Sequence, residues 1–87
     1  MKIAVWDTYV TKKDGTIMHF DIIAPHIIKD EQLIYSFGKE YLKSKNQENQ
    51  PLTSNECQFC HTELASENMQ KAVLSKGYYI IEMENCN

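Results

Sequence analysis

The residues best suited to chemistry in this chain lie in one segment of five, Cys57-Gln58-Phe59-Cys60-His61. Two thiols and an imidazole at this spacing could bind zinc or another transition metal, act as a redox dithiol, or attach haem. A third thiol, Cys86, lies near the C-terminus. A complete zinc motif would contain a second pair of ligands at fixed spacing, and the chain has none, so the segment alone does not select one function.

A zinc site built on this segment would take Cys57, Cys60 and His61 as ligands and would need a fourth. The candidates for the fourth position are Cys86, which we favour, and the histidines His19 and His26. A structural zinc ion contributes about 10–16 kcal/mol in small fingers, which this chain does not need because its apolar content is sufficient for a core. The alternative is that Cys60 is a small buried hydrophobe and the other thiols and His61 bind nothing.

Redox exchange and haem attachment fit the segment less well. Glu56 adjoins the first cysteine and Glu63 follows the second, and both negative charges disfavour the thiolate that redox exchange requires. Covalent haem attachment follows export from the cytoplasm. Residues 1–7 meet an acid after four apolar residues, which is typical of a strand and not of a signal peptide. We therefore expect a cytoplasmic protein.

A second candidate group lies on two strands that Asp14-Gly15 would join as a hairpin. A two-residue turn flanked by Lys13 and Thr16 places Thr8 opposite Asp21 and Trp6 opposite Ile23. This register predicts a mixed aromatic and polar patch formed by Trp6, Thr8, His19 and Asp21. Asp21 could orient His19 for general-base catalysis or metal binding. The alternative is an ordinary solvated sheet face with one hydrogen-bonded aspartate.

The opposite face of this hairpin would form core. Alternation assigns it apolar side chains with Asp7 as an exception near the middle of the first strand; the apolar members are Val5, Tyr9, Met18, Phe20 and Ile22.

The elements that position these residues are predicted from apolar periodicity and capping residues. Strands are expected at 2–10, 17–24, 58–63 and 78–83, and helices from the cap at Asp30 to about Lys45 and from the cap at Ser66 to Gly77. Gly38 inside the first helix indicates close packing on the sheet. The order ββαβαβ predicts one α+β domain over residues 1–87, with a mixed four-stranded sheet covered by both helices.

Composition excludes several classes of function. The net charge is −3, and all nine basic residues are lysine, so the clustered positive charge and arginine forks of nucleic-acid binders are missing. No apolar run approaches the roughly 20 residues that a membrane-spanning helix needs. Nucleic-acid and membrane binding are therefore not expected.

Four motifs carry a resemblance to a known family: VWDTYV, DGTIMHFDI, CQFCH and a C-terminal CN. The sequence resembles a small bacterial family of uncharacterised proteins that is described only as a domain of unknown function. The resemblance covers nearly the whole chain and implies a compact α/β domain that forms a complete protein. It implies no catalytic residues, because no activity is assigned to the family.

Three functions remain open at this point. The first is a non-enzymatic cytoplasmic domain that binds another protein or forms a homo-oligomer through exposed tyrosines and an uncovered sheet edge. The second is a zinc-binding protein that uses Cys57, Cys60 and His61, with Cys86 as the fourth ligand. The third is a small thiol-redox or His19-dependent enzyme, which ranks last because no nucleophile or second carboxylate is evident beside His19 and Asp21.

Overall fold

The computed structural model describes all residues from 1 to 87, and it contains every predicted element in the predicted order. The strands are β1 (Lys2–Thr11), β2 (Ile17–Pro25), β3 (Cys57–Leu64) and β4 (Tyr79–Glu84), and the helices are α1 (Glu31–Ser44) and α2 (Glu67–Lys76). The predicted caps are confirmed: Asp30 accepts a hydrogen bond from the Gln32 N–H, and Ser66 accepts one from the Met69 N–H. Neither helix is long and apolar enough to span a membrane.

The four strands form one sheet in the order β3-β1-β2-β4, and all three neighbouring pairs are antiparallel. The expectation of a mixed sheet is therefore wrong. A helical connection returns the chain so that β3 runs in the same direction as β2. However, β3 lies beyond β1 and β4 lies beyond β2, so strands that run in the same direction are never neighbours. The α+β class and the single compact domain agree with the prediction.

The turn between β1 and β2 contains three residues, and this length sets the register of the hairpin. The Lys12 N–H donates to the Thr16 carbonyl at 2.8 Å, and the Gly15 N–H donates to the Lys12 carbonyl at 3.0 Å. Gly15 adopts a φ of 90°, the left-handed conformation that closes a three-residue hairpin loop. Asp7 therefore lies opposite Asp21, and the predicted pairing of Thr8 with Asp21 is wrong by one residue.

The main core lies between α1 and one face of the sheet. It includes large side chains of both hairpin strands and of the helix, among them Trp6, Met18, Phe20, Ile22, Ile34, Tyr41 and Leu42. Gly38 allows the close approach of α1 that the sequence predicts. A Cβ at this position would lie 3.0 Å from Ile22 Cδ1 on β2 and 2.5 Å from a methyl group of Leu52 in the following loop.

The second face of the sheet is only half covered. Ile3, Val5 and Ile23 form a small cluster against Met69 of α2, together with side chains of β4. Because α2 has only ten residues, it covers the half of this face that is remote from the β1–β2 turn. The half near the turn has no helix over it, and there Tyr9 is 49% exposed. This uncovered half contains the polar residues described next.

Candidate functional site

The three cysteines occupy different parts of the molecule. Cys57 is buried in the core under α1, where its sulfur accepts a hydrogen bond from the Thr8 hydroxyl at 3.4 Å. Cys60 is exposed and is the extra residue of a β-bulge, because Phe59 pairs with Trp6 while the next pair joins His61 and Val5. Burial raises the pKa of the Cys57 thiol, and the hydrogen bond from Thr8 acts in the opposite direction.

Cys86 lies at the other edge of the sheet. It follows β4, and its thiol is 3.3 Å from the carbonyl oxygen of His19 on β2. Cys57, Cys60 and His61 lie on β3, which is two strand spacings of about 4.8 Å, or roughly 10 Å, from β2 because β1 lies between them. The structure therefore does not bring Cys57, Cys60, His61 and Cys86 together as one four-ligand zinc site.

His26, another candidate for a fourth ligand, forms no ligand cluster with the segment's thiols. Its Nδ1 is 3.1 Å from the Lys2 carbonyl at the start of β1. The polar contacts of the His61 ring are within its own strand, with Nδ1 3.2 Å from the Cys60 sulfur and Nε2 2.7 Å from a Glu63 carboxylate oxygen. These three side chains are exposed.

The predicted hairpin patch is divided between the two faces of the sheet. Trp6 and Thr8 point toward α1 and are buried, whereas His19 and Asp21 lie on the half-covered face. The predicted four-residue patch is wrong because the true register adds one residue to the turn. Asp7 takes the place assigned to Thr8 opposite Asp21, Val5 takes the place assigned to Trp6 opposite Ile23, and Tyr9 lies opposite His19. The sequence carried one signal for this, namely that Asp7 would otherwise be an acid in an apolar core face.

Asp7, His19 and Asp21 form a compact acid–imidazole–acid cluster on this face. Nε2 of His19 is 2.7 Å from Oδ1 of Asp7 and 4.0 Å from Oδ1 of Asp21. One potential ligand atom from each residue lies within 4.8 Å of the other two, and no other set of three His, Cys, Asp or Glu residues meets this condition. The Tyr9 ring stacks on the His19 imidazole with 4.1 Å between ring centroids and 12° between planes.

Asp21 is the buried member of the cluster. Its residue surface is 8% exposed, and its Oδ1 atom is buried without a hydrogen-bond partner. Burial first, and then the hydrogen bond and the negative charge of Asp7, raise the pKa of Asp21 to about 6, while the imidazoles of His19 and His61 act in the opposite direction. The two facing carboxylates therefore carry more negative charge than the single imidazole can compensate, so the cluster favours an added proton or cation.

Comparison with known proteins places the chain in a family. The model of a family described as a domain of unknown function (DUF2024) matches residues 1–83. The chain belongs to this family. A similar solved structure is the NMR structure of protein NE1680 from Nitrosomonas europaea, which is 42% identical to this DUF2024 domain. The match covers 100% of both chains with a TM-score of 0.86, whereas no curated protein matches the sequence.

The donor set of the cluster in this DUF2024 domain defines its chemistry. Two carboxylates and one imidazole offer oxygen and nitrogen atoms, which suit zinc, manganese or ferrous iron better than the soft ions that thiolates select. No thiol belongs to the cluster, and the thiol of Cys86 is directed at the backbone carbonyl of His19. The cluster can therefore bind a divalent cation or share protons among its three members.

Proposed function

We propose that this DUF2024 domain binds a divalent transition-metal ion, with zinc as the reference ion, through Asp7, His19 and Asp21. The observation that carries the proposal is the buried Oδ1 of Asp21, which has no hydrogen-bond partner and lies 4.0 Å from the His19 Nε2. A buried carboxylate oxygen without a partner is unfavourable unless a cation or a proton compensates it. A metal ion would satisfy this oxygen and neutralise the paired acids.

The distances within the cluster fit an ion of this size. Zinc bonds of about 2.0–2.2 Å in a tetrahedral site separate neighbouring ligand atoms by roughly 3.3–3.5 Å. The distances from the His19 Nε2 to Asp7 and Asp21 are 2.7 Å and 4.0 Å, which lie on either side of that separation. Small rotations of the two carboxylates would therefore equalise them, without a change in the backbone.

The two strands hold the ligands in place before an ion arrives. Asp7 and Asp21 form one cross-strand pair, and Tyr9 and His19 form the next pair on the same face. Because Tyr9 stacks on the imidazole, the ring of His19 has limited freedom to rotate. Three protein ligands would leave a coordination position open toward the uncovered half of the sheet, as in metal sites that exchange a water or a substrate.

Isothermal titration calorimetry with Zn²⁺ on chelator-treated protein tests the proposal. We expect one ion per chain and, for His19→Ala and Asp21→Asn, an affinity that falls by at least the roughly 10–100-fold seen when outer-shell partners are lost. Glu67→Gln, which removes an exposed carboxylate from α2, is the matched control and should bind zinc normally.

Cys60→Ser separates this site from the cysteine segment. Zinc binding should survive this change, and the cobalt-substituted protein should lack a thiolate-to-metal charge-transfer band. If Cys60→Ser removes binding while Asp21→Asn does not, the ion binds at the cysteine segment and the proposal is wrong.

The second candidate function is the association with another protein or a second copy of the chain at the edge strand β3. Seven of its eight residues are exposed, and Leu64 is 79% exposed. One side of the strand has no neighbour, so its backbone groups are available for β-sheet extension. Sedimentation equilibrium over a wide concentration range tests self-association, with Thr62→Pro expected to abolish it because proline cannot donate in a ladder. A monomer at all concentrations would exclude a homo-oligomer.

A further inference from the structure

A cleft of about 850 Å³ opens on the face of the sheet opposite the acid–imidazole cluster. It lies beside the start of α1, where the strands β1 and β3 extend past the helix. Cavities of about 300–1,000 Å³ are typical of small-molecule sites. The cleft shares no residue with the Asp7–His19–Asp21 cluster, so its function does not depend on metal binding there.

The lining of the cleft carries a small net positive charge, although the whole protein is acidic. Lys2, Lys29 and His26 line it together with a single acid, Glu31. The Glu31 carboxylate accepts a hydrogen bond from the Tyr35 hydroxyl at 3.1 Å, whereas the three basic side chains form no ion pair with any residue of the chain. In a protein of net charge −3, a local group of unpaired basic side chains favours an anionic ligand.

Two aromatic rings form the apolar wall of the cleft. Trp6 and Phe59 contact each other edge to face, with 5.7 Å between ring centroids, and Phe59 is 54% exposed. The Trp6 side chain is otherwise buried, and its Nε1–H has no hydrogen-bond acceptor. A buried indole N–H normally has a partner. Because the Nε1 atom is itself buried, a small shift of the Trp6 side chain on ligand binding would bring its N–H within reach of a ligand oxygen.

We propose that this cleft binds a small organic anion with a planar apolar portion, such as an aromatic carboxylate. Lys2 and Lys29 contact the anionic group, and Trp6 and Phe59 contact the ring. The anion charge supplies orientation and the aromatic wall supplies most of the buried area, which is the usual division of roles in small-molecule sites.

The test is a titration with 2-naphthoate, and the neutral 2-naphthamide is the matched ligand. Trp6 is the only tryptophan, so both its fluorescence and its indole N–H cross-peak in a ¹⁵N–¹H NMR spectrum report on the cleft. We expect the acid to shift the Trp6 signal saturably and to bind more tightly than the amide.

A double variant, Lys2→Gln/Lys29→Gln, tests the basic groups. It should bind 2-naphthoate about 5- to 30-fold more weakly and lose the preference for acid over amide, since each exposed charge contributes modestly. Lys43→Gln/Lys71→Gln makes the same change of charge at exposed positions remote from the cleft and should bind normally. Equal binding of acid and amide, or shifts that leave the Trp6 indole unchanged, would overturn the proposal.

Discussion

Replacing Asp21 with Asn should stabilise the metal-free protein at neutral pH. Asp21 is 8% exposed, faces Asp7 across the hairpin and leaves one oxygen without a partner. The charged form of this side chain is therefore unfavourable in the folded state. Asparagine has nearly the same shape, carries no charge and can donate to the Asp7 carboxylate.

The magnitude follows from the pKa of Asp21, which rises from 3.8 to about 6 on folding. A shift of one pKa unit corresponds to about 1.4 kcal/mol, so the full shift would amount to about 3 kcal/mol. Solvent lies close to the cluster and screens its charges, so we expect the variant to gain about 1–3 kcal/mol above pH 7.

The sign of the pH dependence is defined by the same shift. Between pH 3.8 and about 6 the folded state binds more protons at Asp21 than the unfolded state does, so this residue makes the wild type less stable as the pH rises. Below pH 3.8 the carboxyl is protonated in both states, and wild type and variant should have similar stabilities. The difference between them should therefore grow from pH 4 to pH 7 and stay constant above that.

Urea denaturation followed by Trp6 fluorescence, in the presence of a chelator and from pH 4 to pH 8, measures this difference. Glu84→Gln, at an exposed residue opposite His19, is the control for loss of a nearby charge, and its effect should stay within about 0.5 kcal/mol at every pH. A variant Asp21→Asn that is less stable than wild type at pH 8 would refute the reasoning, because it would mean that the carboxylate has favourable partners in the folded state.

Three further predictions concern the metal, the thiols and α2. Zinc affinity, measured by calorimetry, should fall about tenfold per pH unit below pH 6, because the ion must displace the proton of Asp21. An affinity that is constant from pH 7 to pH 5 would contradict this. Iodoacetamide should modify the exposed Cys60 first and Cys57 only on unfolding, because Cys57 is buried and its thiol pKa is raised; mass spectrometry detects the modified residues. Early modification of Cys57 would show that the core under α1 opens readily. Gly77→Ala should lower the free energy of unfolding by about 1–2 kcal/mol, because Gly77 ends α2 at a φ of 96°. Gly77→Asn should lower it less, since asparagine adopts this conformation more readily. Equal stabilities of both variants and the wild type in urea would refute the argument from conformation.

Local signals in the sequence predicted the elements of this fold well. Asp30, Ser66 and Gly77 mark helix ends through their own side chains or conformational preferences, and each does so in the structure. Strand order was not predictable in the same way, because the partners of β3 and β4 are distant in sequence. The mixed sheet was wrong for this reason, and the distance between the cysteine segment and Cys86 follows from the same strand order.

The candidate site depended on a smaller feature, the number of residues in one turn. Asp14-Gly15 is compatible with a two-residue and a three-residue loop, and the two differ by one position in register. That single position replaces Thr8 by Asp7 opposite Asp21, and it turns a mixed patch into a cluster of two acids and an imidazole. The carboxylate that sequence reasoning did not find beside His19 was Asp7.

Because all the proposed ligands come from β1 and β2, the site has a consequence for the order of events in folding. A hairpin with a three-residue loop forms in about 1–10 μs, far faster than the pairing of strands that are distant in sequence. In the absence of a cation, closing this hairpin brings two like charges into opposition, which slows an early step. An ion that binds Asp7, His19 and Asp21 would remove this repulsion at the hairpin stage. Zinc should then accelerate refolding as well as slow unfolding, so the metal would act on the folding rate and not only on the stability of the folded state.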